Sequence, residues 1–355
     1  MQDHTPDFLL YGAYGYTGRL IVAAAVAGGL RPLLAGRRPE PLAELADEHG
    51  LDYRAFALDD AAALDAALSG VPLVLHAAGP FVRTAGPMIN ACLRTGTHYL
   101  DITGEIAAFE LAHGHDAAAR AAQIMLMPGV GFDVVPTDCM AAFLHQSLPG
   151  ATDLKLAFAW RKGGISHGTA TTMLEGLGRP GAVRRGGTIV PVPPAYDVAE
   201  FPFTAERSRR AVTIPWGDVF TAYHTTGIPN VVTYFAAPPA QIRMMRWSRY
   251  LGPLLRLPLL KRFLQRRIDA APAGPSAAQR AAAEAYVYGE VTDAAGRRAA
   301  ARLRTPEGYD LTVATALRIV RRVRSGDWRP GYQTPAGAYG PDLILEIDGV
   351  RRELI

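Results

Sequence analysis

The feature that most constrains this chain is the regular alternation in its first 130 or so residues. Short apolar runs take turns with helical stretches, and the series begins "LLYGAYGYTGRL" (residues 9–20). The runs 8–13, 31–37, 53–59, 71–80, 98–105 and 124–132 read as strands. The stretches 17–29, 39–50, 60–70, 86–96 and 106–123 read as helices. Strands alternating with helices of this length predict a parallel, doubly wound sheet with helices on both faces. After about residue 136 the rhythm changes to longer period-two runs and a hairpin around Ala294-Ala295-Gly296, predicting an α+β domain with a mostly antiparallel sheet. The expected division is a first domain over 1–135, completed by 331–355, and a second over 136–330. The stretch 269–283 is the most linker-like, and no internal repeat is visible.

Gly12, Gly15 and Gly18 make G-x-x-G-x-x-G where the first strand meets the first helix. The first glycine permits a tight turn. The second lets backbone N–H groups approach a pyrophosphate, and the third lets the helix pack close to the strand. In a chain with 36 glycines the spacing alone is weak; its place in the first βα unit gives it weight. The loop 12–18, with Ala13, Tyr14, Tyr16 and Thr17 between the glycines, is the expected dinucleotide cradle. The second strand ends "LLAGRR", with Arg37 and Arg38 and no acid before Glu40. A pair of guanidiniums there suits a ribose 2′-phosphate, where an NAD site usually carries a carboxylate. A merely solvated first turn is disfavoured, because arginine at a helix start opposes the macrodipole. The expected cofactor is NADP(H). Ala78, Gly79, Pro80 and Phe81 after the fourth strand, and Thr103 and Gly104 after the fifth, complete the expected rim, since ligands of open α/β sheets bind at the carboxyl ends of strands.

Several classes are excluded. None of the three lysines, Lys155, Lys162 and Lys261, completes a Y-x-x-x-K dyad, and no G-K-[ST] follows a glycine loop. The net charge of +4 is modest and aromatics are not interleaved with the basic residues, so no nucleic-acid partner is expected. Cys92 and Cys139 lie in apolar helical patterns, which points to a reducing cytosol, and no metal site is expected. The start "MQDHTPDF" has no signal-like pattern, so a cytoplasmic location is expected.

The stretches "YGAYGYTG", "LLAGRR", "HAAGPF", "ACLRTGTHYLDITGE" and "PGVGFDVVPTD" together resemble the saccharopine dehydrogenase-like oxidoreductases. The match is strongest to the branch of trans-acting enoyl reductases, which "IPWGDVFTAYHTTGIPNVVTY" and "TPAGAYG" also resemble. This resemblance implies an NADP-binding Rossmann domain, an α+β domain covering the nicotinamide, and a homodimer. Saccharopine reductases hold an amino-dicarboxylic acid with paired basic residues. Here the corresponding part is apolar and threonine-rich, so a hydrophobic or acyl substrate is expected instead.

Candidates for the chemistry are Asp133 after the sixth strand, His167 in "ISHGTATT", and Asp218 and Tyr223 in "WGDVFTAYHTTG". His167 and Asp218 also suit plain helix-cap positions. The expected activity is NADPH-dependent reduction of an enoyl C=C in a lipid, polyketide or isoprenoid; the alternatives are an imine or ketone reductase of specialised metabolism and a non-catalytic NADP-binding sensor or scaffold. The stretch 244–267, "MMRWSRYLGPLLRLPLLKRFLQRR", is basic and apolar without an acid. It suits an amphipathic segment serving as a lid, a dimer contact or a membrane-surface foot.

Overall fold

The computed structural model describes residues 5–250 and 257–355. They form two compact units, Met1–Asp133 with Tyr309–Thr334, and Val134–Gly308 with Pro335–Ile355.

The first unit is built on β1 (Phe8–Tyr11), β2 (Pro32–Gly36), β3 (Tyr53–Ala55), β4 (Leu73–His76), β5 (His98–Asp101) and β6 (Met125–Met127). With the two-residue strand Gly331–Tyr332 they form one sheet in the order Gly331–Tyr332, β6, β5, β4, β1, β2, β3. Its strands pair in parallel throughout the described residues. β1, β2 and β4 are buried along their whole length, as strands covered by helices on both faces must be. The order reverses between β1 and β4, which is where such sheets open a crevice for a ligand.

The segment that returns to this unit is 309–334, not the expected 331–355. The helix Gly308–Arg324 buries Leu311, Ile319 and Val320. Thr312 Oγ1 accepts from the Phe132 N–H at 3.0 Å, and the Thr315 hydroxyl donates to the Val130 carbonyl at 2.8 Å. The last residues instead join the second unit, through the strand Arg351–Leu354. The expected single helix over 106–123 is two, Ile106–Gly114 and Asp116–Ala121. Asp116 opens the second of these and accepts the Tyr332 N–H of the returning strand at 2.7 Å, so the break holds the chain's second crossing.

His76, at the end of β4, is completely buried and neither ring nitrogen has a hydrogen-bond partner. Its ring lies 5.5 Å from that of Tyr11, 5.3 Å from Phe81 and 6.3 Å from Tyr99. Burial drives its pKa down to about 3.

The second unit contains β7 (Ala151–Arg161), β8 (Gly181–Arg185), β9 (Thr188–Val192), β10 (Val198–Pro202), β11 (Ser208–Thr213), β12 (Asn230–Ala236), β13 (Glu284–Asp293) and β14 (Arg298–Thr305). Its sheet runs β10, β11, β12, β7, β13, β14 and Arg351–Leu354, with β8 and β9 as a hairpin attached to β12. All pairings are antiparallel except β7 with β12. The helix Val135–Ser147 packs on one face. A Cβ at Gly289 of β13 would stand 2.6 Å from both Met140 and Leu144, so glycine there lets the helix sit down on the sheet. On the other face the alanines 157, 159, 211 and 236 make room for Phe201, Tyr234 and Tyr288. The linker-like stretch 269–283 lies inside this unit and holds a short helix, Ala277–Ala281, with a Ser276–Gln279 capping box.

Asp138 ties three helices of the second unit. From Val135–Ser147 its carboxylate accepts the Thr225 hydroxyl at 2.5 Å and the Ala336 N–H at 2.8 Å. Asp138→Ala orphans both donors and should cost about 2–5 kcal/mol in a urea melt. A loss below about 0.5 kcal/mol would show that the carboxylate is dispensable. For His76 the sign is the reverse of a salt-bridged group. Its folded pKa lies below the ordinary 6.5, so the unfolded chain takes up the proton first. Stability present above pH ~6.5 is then lost as pH falls toward the folded value, at up to ~1.4 kcal/mol per pH unit. His76→Leu should remove that slope relative to the parent; parallel pH profiles would refute the assignment.

Candidate functional site

The site begins at Gly12, which turns the chain off β1 with φ +90°. Its N–H and that of Ala13 donate to the Ala35 carbonyl at 2.8 and 3.2 Å, fixing the turn against β2. A Cβ at Gly12 would stand 3.0 Å from Ala77 and Ala78, so the turn lies directly on the exit of β4. Gly15 precedes the helix Tyr16–Ala27. At Gly18, in the first turn, a Cβ would fall 2.2 Å from the Gly12 carbonyl oxygen and 2.6 Å from that of Ala13. Glycine at 12 and 18 therefore lets the turn, the β4 exit and the helix approach one another more closely than side chains would allow. Thr17, between Gly15 and Gly18, is partly exposed.

The start of this helix has no side-chain cap and no acid in its first turn. The helix Phe81–Thr95, which follows β4, differs. Glu105 reaches back from the end of β5 and accepts the Phe81 and Val82 N–H groups at 2.9 and 2.8 Å. That carboxylate answers the donors and the positive end of the dipole there. Of these two helix starts, the one at Gly15 carries no such carboxylate, and a helix start of that kind suits an external anion.

Tyr14 links the cradle to β2. A Cβ at Gly36 would stand 2.6 Å from Cε1 of Tyr14, so the ring lies on the strand end, and the Arg38 guanidinium stacks 5.0 Å from its centroid. Arg37 and Arg38 are both exposed, and among the described residues neither has an acidic partner. Arg37 is close enough to act on Tyr11, whose phenol burial pushes up to about 12 while the arginine charge opposes that rise. The bulky residue between the glycines thus positions a cation where a 2′-phosphate would be read. Tyr16 instead meets Tyr309 edge-on at 5.0 Å.

On the β4 and β5 exits, the Thr84 hydroxyl donates to the Ala78 carbonyl at 2.8 Å, and Gly79 and Pro80 lead into Phe81, whose ring covers His76. Thr103 is buried and its hydroxyl accepts the Glu105 N–H at 3.0 Å. Asp101 accepts from Thr103 N–H and Gly129 N–H, both at 2.9 Å, and from the Tyr99 hydroxyl at 2.6 Å. Burial outweighs those bonds and raises its carboxyl to about 6. Asp133 stands against Gly104, where a Cβ would meet Oδ2 at 2.8 Å. The residue keeps partial exposure, yet protein crowds its carboxyl; burial, with the Glu105 charge added, pushes it up to about 7. Asp133 is thus the one catalytic candidate that lies with the expected cofactor residues in the first unit.

The other three candidates belong to the second unit, and His167 and Tyr223 have structural partners there. His167 Nε2 lies 2.7 Å from the Ala271 carbonyl and its N–H donates to that of Ala273 at 3.0 Å, while Ser166 supplies the helix cap. Asp218 is fully buried in the first turn of Asp218–Thr226. Tyr223, on the same helix, lies under the buried Arg184, whose guanidinium is 4.2 Å from the ring centroid and donates to the Val219 carbonyl at 2.6 Å. Asp138, Glu105 and Arg184 organise these surroundings and were not distinguished by sequence. The signal for Asp138 was an acid inside the apolar helix "TDCMAAFL".

Arg37→Ala should weaken NADPH binding by ~1.5–3 kcal/mol, as expected for a lost charge-assisted contact, and leave NADH binding nearly unchanged. Calorimetric titration of both nucleotides checks this, and an equal loss for the two would remove Arg37 from the site.

Comparison with known proteins agrees with this geometry. Residues 8–127 match the family described as the saccharopine dehydrogenase NADP binding domain. A trans-acting enoyl reductase of Mycobacterium leprae is 34% identical over 199 residues, covering 50% of this chain and 47% of that protein. One from Mycobacterium tuberculosis is 33% identical over 151 residues, covering 39% and 35%. The chain spans less than half the length of these relatives. Among solved structures, apo saccharopine dehydrogenase (L-Glu forming) from Saccharomyces cerevisiae superposes with a TM-score of 0.66 at 14% identity, over 98% of this chain and 99% of that one. Homospermidine synthase from Legionella pneumophila, in complex with NAD, gives 0.63 at 9% identity, over 99% and 92%. At such identities the likeness is one of fold. Residues 8–127 are thus similar to saccharopine dehydrogenase NADP-binding domains, on a chain with the saccharopine dehydrogenase fold.

Proposed function

We propose that this chain is an NADPH-dependent oxidoreductase that reduces the C=C of an enoyl group on a hydrophobic lipid, polyketide or isoprenoid substrate. The observation that carries this reading is the Asp133 carboxyl against Gly104, on the strand-end rim of the NADP-binding unit. Gly12, Gly15 and Gly18 would receive the pyrophosphate at the start of Tyr16–Ala27, with Arg37 and Arg38 on the 2′-phosphate. When bound, NADPH supplies a hydride. The protein must then deliver a proton to the other carbon of the double bond. A carboxyl that still holds its proton about half the time at pH 7 can do so, and Asp133, raised to about 7, is such a group.

Two further points support the reading. The relatives that match about half of this chain carry the name trans-acting enoyl reductase. In the second unit, Trp160, Phe235 and Trp216 surround Phe158, with centroids 5.2–6.0 Å from its ring, and all three keep partial exposure. They form a partly exposed aromatic cluster of that unit, of the kind a lipophilic ligand favours.

The test is NADPH consumption with a trans-2-octenoyl thioester, a matched ketone and a cyclic imine. Turnover of the enoyl thioester alone is expected. Turnover of only the ketone or imine would transfer the proposal to that bond, and none at all would favour an NADP-binding protein without catalysis. Asp133→Asn should lower kcat by about 10² or more with NADPH affinity unchanged. Because the acid must be protonated to act, kcat/KM of the parent should decline as pH rises through about 7. An unchanged kcat in the variant would exclude Asp133 as proton donor.

A further inference from the structure

Two helices of the second unit carry a surface that the reductase reading does not use. The helix Pro239–Ser248 is anchored by Ile242, buried with Ala195, Val212 and Ala237, and by Met245 packed on the same cluster. Its other side exposes Met244 (66%) and Trp247 (67%), followed by Tyr250 (72%), whose ring meets Trp247 edge-on at 6.0 Å. The helix Pro258–Asp269 is held to His167–Gly176 from its inner side. Lys261 Nζ donates to the Glu175 carbonyl at 3.3 Å, and Gln265 Nε2 to Thr171 Oγ1 at 3.2 Å. Its outer side exposes Leu259 (78%) and Phe263 (55%), one turn apart.

The exposed apolar groups are not what attaches either helix, so their exposure needs another account. Cations accompany them. Arg243 and Arg246 flank Met244 and Trp247, and Arg262 and Arg266 flank Phe263. Among the described residues none of these four arginines has an acidic partner. The sequence holds no Asp or Glu between Asp218 and Asp269. Exposed Trp, Tyr, Leu and Phe with unpaired arginines beside them match a layer that is negative at its surface and apolar just beneath it. Among the described residues no helix is long and apolar enough to cross a membrane. The two helices, of 10 and 12 residues, suit a position in the interfacial plane.

We propose that the helices Pro239–Ser248 and Pro258–Asp269 dock on an anionic lipid surface, with Trp247 and Phe263 inserted and the arginines on the headgroups.

The test is co-sedimentation of the full chain with vesicles of phosphatidylglycerol and phosphatidylcholine in equal parts, and with phosphatidylcholine alone. Binding to the anionic vesicles is expected, falling by about tenfold or more on the neutral ones and in the Trp247→Glu/Phe263→Glu variant. NADPH binding should be unchanged in that variant, which also checks its fold. In the otherwise intact chain, brominated phosphatidylglycerol should quench tryptophan emission, and Trp247→Phe should abolish the quenching. The proposal is overturned by absence of sedimentation with anionic vesicles, by equal sedimentation of parent and variant, or by quenching that survives Trp247→Phe. It is also overturned if the double substitution converts a dimer to a monomer, since the surface would then join two copies of the chain.

Discussion

The contact on which the site depends is the one between Gly18 and the Gly12 carbonyl oxygen. No side chain fits there, since a Cβ would stand 2.2 Å from that oxygen. Only this close approach lets the helix Tyr16–Ala27 begin directly beside the turn off β1, at the strand-order reversal where a crevice opens. Move the helix outward by a methyl group and the first-turn N–H groups no longer converge beside the β4 exit. Tyr14 and Gly36 extend the same logic to β2. The ring needs a strand end without a side chain, and once seated it stacks on Arg38.

Arg37 and Arg38 lie exposed at the β2 end of the rim, without acidic partners among the described residues. The carboxyls of Asp101, Glu105 and Asp133 lie at the β5 and β6 ends. Glu105 is committed to the start of Phe81–Thr95, and Asp101 to two backbone N–H groups and a phenol. Burial raises both Asp101 and Asp133, and the charge of Glu105 adds to each rise. Arg37 and Arg38 thus place positive charge at the β2 end, and at the β6 end burial lifts the Asp133 carboxyl to about 7. A hydride-transfer enzyme needs both, because it must hold an anionic cofactor and complete the addition with a proton.

Features with a local spacing rule were legible in the sequence. The glycine loop, the parallel sheet, the arginine pair and the β13–β14 hairpin are each written within a few residues. What escaped depends on residues far apart in the chain. The periodicity of 309–326 announces a helix, but nothing in it says that Thr312 and Thr315 will bond to the loop after β6. Glu105 caps a helix that begins 24 residues earlier, which moves its start back from the expected residue 86 to Phe81. Asp138 reads as an ordinary helical acid until Thr225 and Ala336 come to it. His167 shows the converse. A histidine beside serine and threonine looks chemical, yet its ring is set on the Ala271 carbonyl.

The central claim is that this chain moves a hydride from NADPH to a carbon–carbon double bond. The most direct measurement gives the protein NADPH carrying deuterium on the transferred face, together with an enoyl thioester, and weighs the product by mass spectrometry. The account predicts a saturated thioester with a single deuterium, formed in step with NADP⁺. Tight NADPH binding with no deuterium in any product would contradict it.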